Sequence, residues 1–144
     1  MLSFASEGGR PPTSASGEWS SEPPAELSGL RVLVVEDEAM VAMLIEDMLL
    51  DFGCEVVGPA PGVSAALRLL AAERVDAAVL DVNLGGEMVF PVADRLAADG
   101  IPFLFSTGYG MAGLEARHFE RPVLQKPYEA YKLKAALSAV LPGG

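Results

Sequence analysis

The 144-residue sequence predicts an α/β fold, a doubly wound parallel sheet of five strands, on three observations. From Leu30 onward short apolar runs alternate with amphipathic stretches, and five such strand-then-helix units can be counted. Glycines stand where two of the helices should stop, at Gly53 and Gly100. Acidic residues, a threonine and a lysine follow directly on the apolar runs, and a doubly wound sheet opens its crevice at those carboxyl ends. The length is about one domain's worth of chain. With 51% hydrophobic and 21% charged residues the composition can fill a core and argues against wholesale disorder.

In chain order, residues 30–35 (Leu-Arg-Val-Leu-Val-Val) are the first strand. A helix is expected over 38–51, with Met40, Met43, Leu44, Met48 and Leu49 at helical spacing, and Gly53 ends it. The second strand is expected over 54–58, the second helix over 63–73, the third strand over 75–80 and the third helix over 88–98, closed by Gly100. The fourth strand is expected over 101–105 and the fifth over 121–125. The closing helix runs over 129–141, with Leu133, Leu137, Val140 and Leu141 inward. The fourth helix is the weak element, because Gly108, Gly110 and Gly113 each cost roughly 1 kcal/mol against alanine in a helix interior. A short or mobile helix is expected there.

Residues 1–28 are rich in Ser, Gly, Pro and Glu without helical or strand periodicity, and are read as a disordered tail before a folded unit at 29–144. Trp19 within it is assigned no function. The start lacks the basic-then-apolar pattern of a secretory signal, and no later apolar stretch is long enough to span a bilayer, so a cytoplasmic protein without membrane insertion is expected. A formal net charge of −10 with no basic stripe speaks against nucleic-acid binding. The single cysteine, Cys54, opens an apolar strand and is read as core packing; with one histidine, His118, it makes no zinc site.

The strand ends carry Glu36-Asp37-Glu38 after the first strand, Asp81 after the third, Thr107 after the fourth and Lys126-Pro127 after the fifth. Carboxylates gathered at one sheet edge repel one another and call for a cation; hard oxygen ligands with room for water suit Mg2+, or Mn2+. Lys126 adds positive charge. Phosphoryl transfer asks a protein mainly to position reactants and neutralise charge, so a carboxylate nucleophile, a metal, a lysine and a hydroxyl form a workable set. A carboxylate ionised at neutral pH needs no separate base.

Through Val-Val-Glu-Asp-Glu, Val-Leu-Asp-Val-Asn-Leu, Ser-Thr-Gly and Gln-Lys-Pro-Tyr at successive strand ends, residues 30–141 resemble the receiver domains of bacterial two-component response regulators. The resemblance implies a flavodoxin-like fold of five βα units with strand order 2-1-3-4-5. It makes Asp81 the phosphoacceptor, Glu36 and Asp37 the acidic pair at the metal, and the backbone carbonyl of Asn83 a further ligand. Lys126 would contact the phosphoryl group and Thr107 would be the switch hydroxyl. Glu36 keeps three readings: direct coordination, contact with the metal only through water, or a bond to Lys126 instead.

Some residues depart from the usual receiver pattern. Val123 stands where an aromatic gate is common, and Phe105-Ser106-Thr107-Gly108-Tyr109-Gly110 resembles the motif of the "FAT GUY" receivers except at Ser106 and Gly110. Tyr109 then takes the gating role. Asn83 and Tyr109, two positions after Asp81 and Thr107, are expected to tune the lifetime of the phosphoryl group. The usual proline after Asp81 is missing and Gly85-Gly86 stand there, which makes an adaptable loop expected.

The expected function is that of a single-domain response regulator in a phosphorelay. It receives its phosphoryl group from a histidine kinase or a histidine phosphotransfer protein and acts on a downstream protein through its own surface, rather than as a turnover enzyme. One rival is a receiver module that binds partners without phosphorylation, although the acid, lysine and hydroxyl set is intact. A metal-dependent phosphatase is the other, and it would need a substrate pocket, cap or nucleotide loop that the sequence does not offer.

Overall fold

The structure, a computed structural model, describes residues 27–108, 114 and 120–142. Its elements run β1 (Arg31–Val35), α1 (Ala39–Asp51), β2 (Glu55–Ala60), α2 (Val63–Ala72), β3 (Ala77–Asp81), β4 (Asn83–Leu84), β5 (Glu87–Met88), α3 (Phe90–Ala98), β6 (Phe103–Thr107), β7 (Val123–Gln125) and α4 (Ala130–Val140). Five strands form one sheet in the order β2-β1-β3-β6-β7, with every pair parallel. This is the expected 2-1-3-4-5 order, with strand order reversing between β1 and β3. The fourth helix expected after β6 falls largely on residues outside those described, as do Tyr109 and His118.

The central strands are buried on both faces, which is why they read as near-continuous apolar runs. Their side chains alternate between two cores. Leu33, Val35, Ala78, Leu80, Phe103 and Phe105 pack with Ala66 of α2 and with Val92, Ala93 and Leu96 of α3. Val32, Val34, Ala77, Val79 and Leu104 pack with Ile45 and Leu49 of α1 and with Leu133 and Leu137 of α4. Leu27 is fully buried in this second core, and its carbonyl accepts from the Cys54 thiol, so packing takes in a residue of the segment expected as a tail. Cys54 is buried as expected, and that burial pushes its thiol pKa up to about 11.

Several local expectations are corrected. In α1 the buried residues are Ala42, Ile45 and Leu49, whereas Met40, Met43 and Leu44 are 78%, 60% and 57% exposed. The helix is apolar on more than one face, and the stripe seated on the sheet is the one containing small Ala42. In β2 the expected stop at Gly58 is a bulge instead: Gly58 has φ +97, the pairing with β1 slips between Leu33 and Val35, and the strand continues to Ala60. Residues 83–88 close into the antiparallel pair β4 and β5 around the Gly85-Gly86 turn, and the helix expected from 88 begins at Phe90 with Pro91 in its first turn. Among the described residues no helix is long and apolar enough to cross a membrane.

Candidate functional site

Three backbone hydrogen bonds stitch the carboxyl ends of the sheet strands together. Glu36 N–H donates to Ala60 O at 3.0 Å, Val82 N–H to Ser106 O at 3.2 Å and Lys126 N–H to Thr107 O at 2.8 Å. The first depends on the Gly58 bulge, which brings Ala60 level with Val35. Glu36, Asp81, Thr107 and Lys126 thus leave the sheet from a rigid edge, within one strand-end row.

The row surrounds a cavity of about 430 Å3 lined by Asp37, Asp81, Asn83, Thr107 and Lys126 together with the glycines at 85, 86 and 108. Glu36, Asp37 and Asp81 each offer a carboxylate oxygen, and these lie within 4.8 Å of one another. Asp37 is exposed, whereas Glu36, Asp81 and Thr107 are buried. Gly85, at φ +66, runs so close to Asp37 that a Cβ there would sit 3.4 Å from its carboxylate.

Glu36 does not line the cavity. Its Oε1 accepts from Lys126 Nζ at 2.8 Å and its Oε2 accepts from Glu38 N–H at 3.2 Å, so both oxygens are engaged. Lys126 Nζ lies 3.5 Å from Asp81 Oδ2. Of the sequence readings of Glu36, the geometry matches the bond to Lys126. The Asn83 side chain is also occupied, its Oδ1 accepting from Gly86 N–H at 2.6 Å in the β4–β5 turn.

The charges leave their mark on Asp81, whose pKa is pushed up to about 7, first by burial and then by the neighbouring Glu36 charge, with Lys126 opposing. Lys126 sits above its ordinary pKa. Burial alone would lower it, but the Glu36 hydrogen bond and the Asp81 and Glu36 charges outweigh that.

Two features beside the site went unread in the sequence. Fully buried Ser106 donates its hydroxyl to the Tyr128 OH at 3.4 Å, whereas in the sequence both residues stand only as letters of motifs. A cleft of about 120 Å3 between α1 and the segment after β7, walled by Leu44, Met48, Pro127 and Tyr128, adjoins Lys126. The surplus of apolar residues on α1 was the available signal.

Comparison with known proteins adds the following. The family model described as the response regulator receiver domain matches residues 32–138. The transcriptional regulatory protein PdtaR of Mycobacterium tuberculosis is 31% identical over 88 residues, 60% of this chain and 43% of its own length. The phyllosphere-induced regulator PhyR of Methylorubrum extorquens is 27% identical over 76% of this chain and 43% of its own. The chain therefore spans less than half the length of these curated relatives. Among solved structures, SdrG from Sphingomonas melonis Fr1 is 43% identical with a TM-score of 0.72, covering 78% of this chain and 96% of that one.

Proposed function

The chain belongs to the response regulator receiver domain family, and from that premise we propose that it takes a phosphoryl group onto Asp81 from a histidine kinase or histidine phosphotransfer protein. It then signals through protein contacts that change with phosphorylation. The observation that carries this reading is the meeting of Asp81 with a second acid, Asp37, and the ammonium of Lys126 in one cavity. SdrG of Pseudomonas melonis Fr1, 44% identical with a TM-score of 0.68 and covering 80% of this chain, has a BeF3-activated conformation, in keeping with this reading.

Receiver domains bind Mg2+, and the donor set here fits a hard divalent cation. Three carboxylate oxygens within 4.8 Å repel one another, and a double positive charge relieves that repulsion. Asp37 and Asp81 would hold the ion with the backbone carbonyl of Asn83; Glu36, engaged by Lys126, would reach it through water. Bound Mg2+ or Mn2+ supplies charge that neutralises the phosphoryl oxygens during transfer.

The chain's own residues do the rest. An ionised Asp81 oxygen forms the bond to phosphorus as the bond from phosphorus to the donor histidine nitrogen breaks, and the imidazole leaves with that electron pair. Lys126, anchored by Glu36, holds a phosphoryl oxygen. The Thr107 hydroxyl donates to another. Exposed Met40, Met43 and Leu44 on α1, with the apolar cleft beside Lys126, offer a helical donor a docking face next to the acceptor.

Phosphorus NMR with phosphoramidate as donor tests the reading. An acyl phosphate resonance that requires Mg2+ and is lost in Asp81→Asn is expected. A protein that gains no such resonance, and whose partner binding is unchanged by Asp81→Asn, is a phosphorylation-independent binding module instead.

A further inference from the structure

We propose that Glu87 is a positioning residue for the metal site: from the hairpin after Asp81 it caps the first turn of α2 and thereby fixes the segment that carries the Asn83 carbonyl. The inference rests on the reading of Asp37, Asp81 and the Asn83 carbonyl as ligands of the ion.

The first turn of α2 has no cap of its own. Its N-cap residue is Gly62, no local side chain bonds the free N–H groups, and the first turn holds no acidic residue. The partner comes from 24 residues away, where Glu87 Oε1 accepts from Val63 N–H at 3.1 Å. A carboxylate there also meets the positive end of the helix.

Gly62 makes room for this contact. Its φ of −157 is extended backbone open to any residue, so conformation does not demand glycine. An ideal Cβ at Gly62 would meet Glu87 Oε1 at 3.0 Å and nothing else within 4 Å. The missing side chain matches the approach of that one carboxylate.

At its other end Glu87 lies in β5, paired with Leu84, while Asn83 pairs with Met88. Leu84 is buried in the core. The turn between them consists of Gly85 and Gly86, both at positive φ, with open space around Gly86. Such a turn is soft by composition. Buried Leu84, the Asn83 side-chain bond to Gly86 and the Glu87 bridge to α2 are what give it one shape. Groups that orient a metal's ligands weigh on affinity even without touching the ion, so loosening the bridge lets the Asn83 carbonyl wander and weakens Mg2+ binding.

The test is calorimetric titration of the full chain with Mg2+ alone, without phosphodonor, alongside thermal unfolding of the metal-free proteins. Glu87→Ala, which removes the acceptor, is expected to raise the Mg2+ Kd about tenfold, and Gly62→Ala, whose Cβ would crowd the flexible end of Glu87 at 3.0 Å, is expected to raise it by less. The double variant should be no weaker than Glu87→Ala, and Glu87→Gln, which keeps an acceptor, should recover most of the affinity. Variants that melt earlier but bind Mg2+ like the wild type would reduce Glu87 to a helix cap and overturn the proposal while leaving the receiver reading intact. A wild-type chain that binds no Mg2+ would overturn both.

Discussion

Lys126 Nζ stands 2.8 Å from Glu36 Oε1 and 3.5 Å from Asp81 Oδ2, so the lysine's tighter partner is the buried acid behind the cavity rather than the acid facing it. The Glu36 side chain is 1% exposed, and an ion of that kind is tolerated because its partner is in place. Glu36 thus serves as the lysine's anchor. Lys126→Met removes the cation from two neighbouring carboxylates at once. We expect a loss of about 3 kcal/mol in urea unfolding at pH 8, and a smaller loss at pH 5, where Asp81 carries a proton.

The raised pKa of Asp81, about 7 against an ordinary 3.8, makes stability depend on pH in a definite direction. Between those values the folded protein binds a proton that the unfolded chain does not. The stability linked to it is present below the unfolded pKa and lost as pH rises through about 7. Asp81→Asn carries no such charge, so its advantage over the wild type should be small at pH 4 and grow to the order of 2 kcal/mol at pH 8, allowing for solvent access from the cavity. Millimolar Mg2+ should narrow the gap, because the ion competes with the proton. Parallel urea titrations at the two pH values check this; an advantage that shrinks with rising pH would contradict it.

The exposed apolar face of α1 predicts a division between donors. Met40→Glu with Leu44→Glu should slow transfer from a cognate phosphohistidine protein at least tenfold and leave uptake from acetyl phosphate unchanged. Both side chains are more than half exposed, so stability should move by no more than about 0.5 kcal/mol. Equal loss with both donors would mean that the face is not a docking surface.

At Gly58 the backbone leaves no latitude. Its φ is +97, and a Cβ would fall 2.8 Å from Ala60 N and 3.1 Å from Val34 O. Gly58→Ala should cost at least about 2 kcal/mol and, by disturbing the bulge that presents Ala60 O to Glu36, should also weaken Mg2+ binding. Chemical denaturation and the same magnesium titration measure the two effects.

What could be read beforehand follows from which signals are local. Val32 to Val35 and Val79 to Leu80 announce central strands because both faces are buried and every residue is apolar. The strand-end acids, threonine and lysine could be placed in one crevice because topology alone brings such ends together. The orientation of α1 could not be read, since Met40, Met43, Leu44 and Leu50 compete with Ala42, Ile45 and Leu49 for the inward face. Two-residue strands at 83–84 and 87–88 are too short for any periodicity. The choice of Lys126 between Glu36 and Asp81 is settled by less than an ångström across 90 residues of sequence, and the pKa of Asp81 follows from that packing. Tyr109, expected to gate the site, lies outside the described residues.

Intact-mass spectrometry after incubation with acetyl phosphate tests the phosphoacceptor role of Asp81 most directly, with Mg2+ present or chelated and with Asp81→Asn in parallel. A mass gain of one phosphoryl group is expected, dependent on the metal, reversed by mild base and absent from the variant. A gain that persists in Asp81→Asn, or one indifferent to chelation, would contradict it.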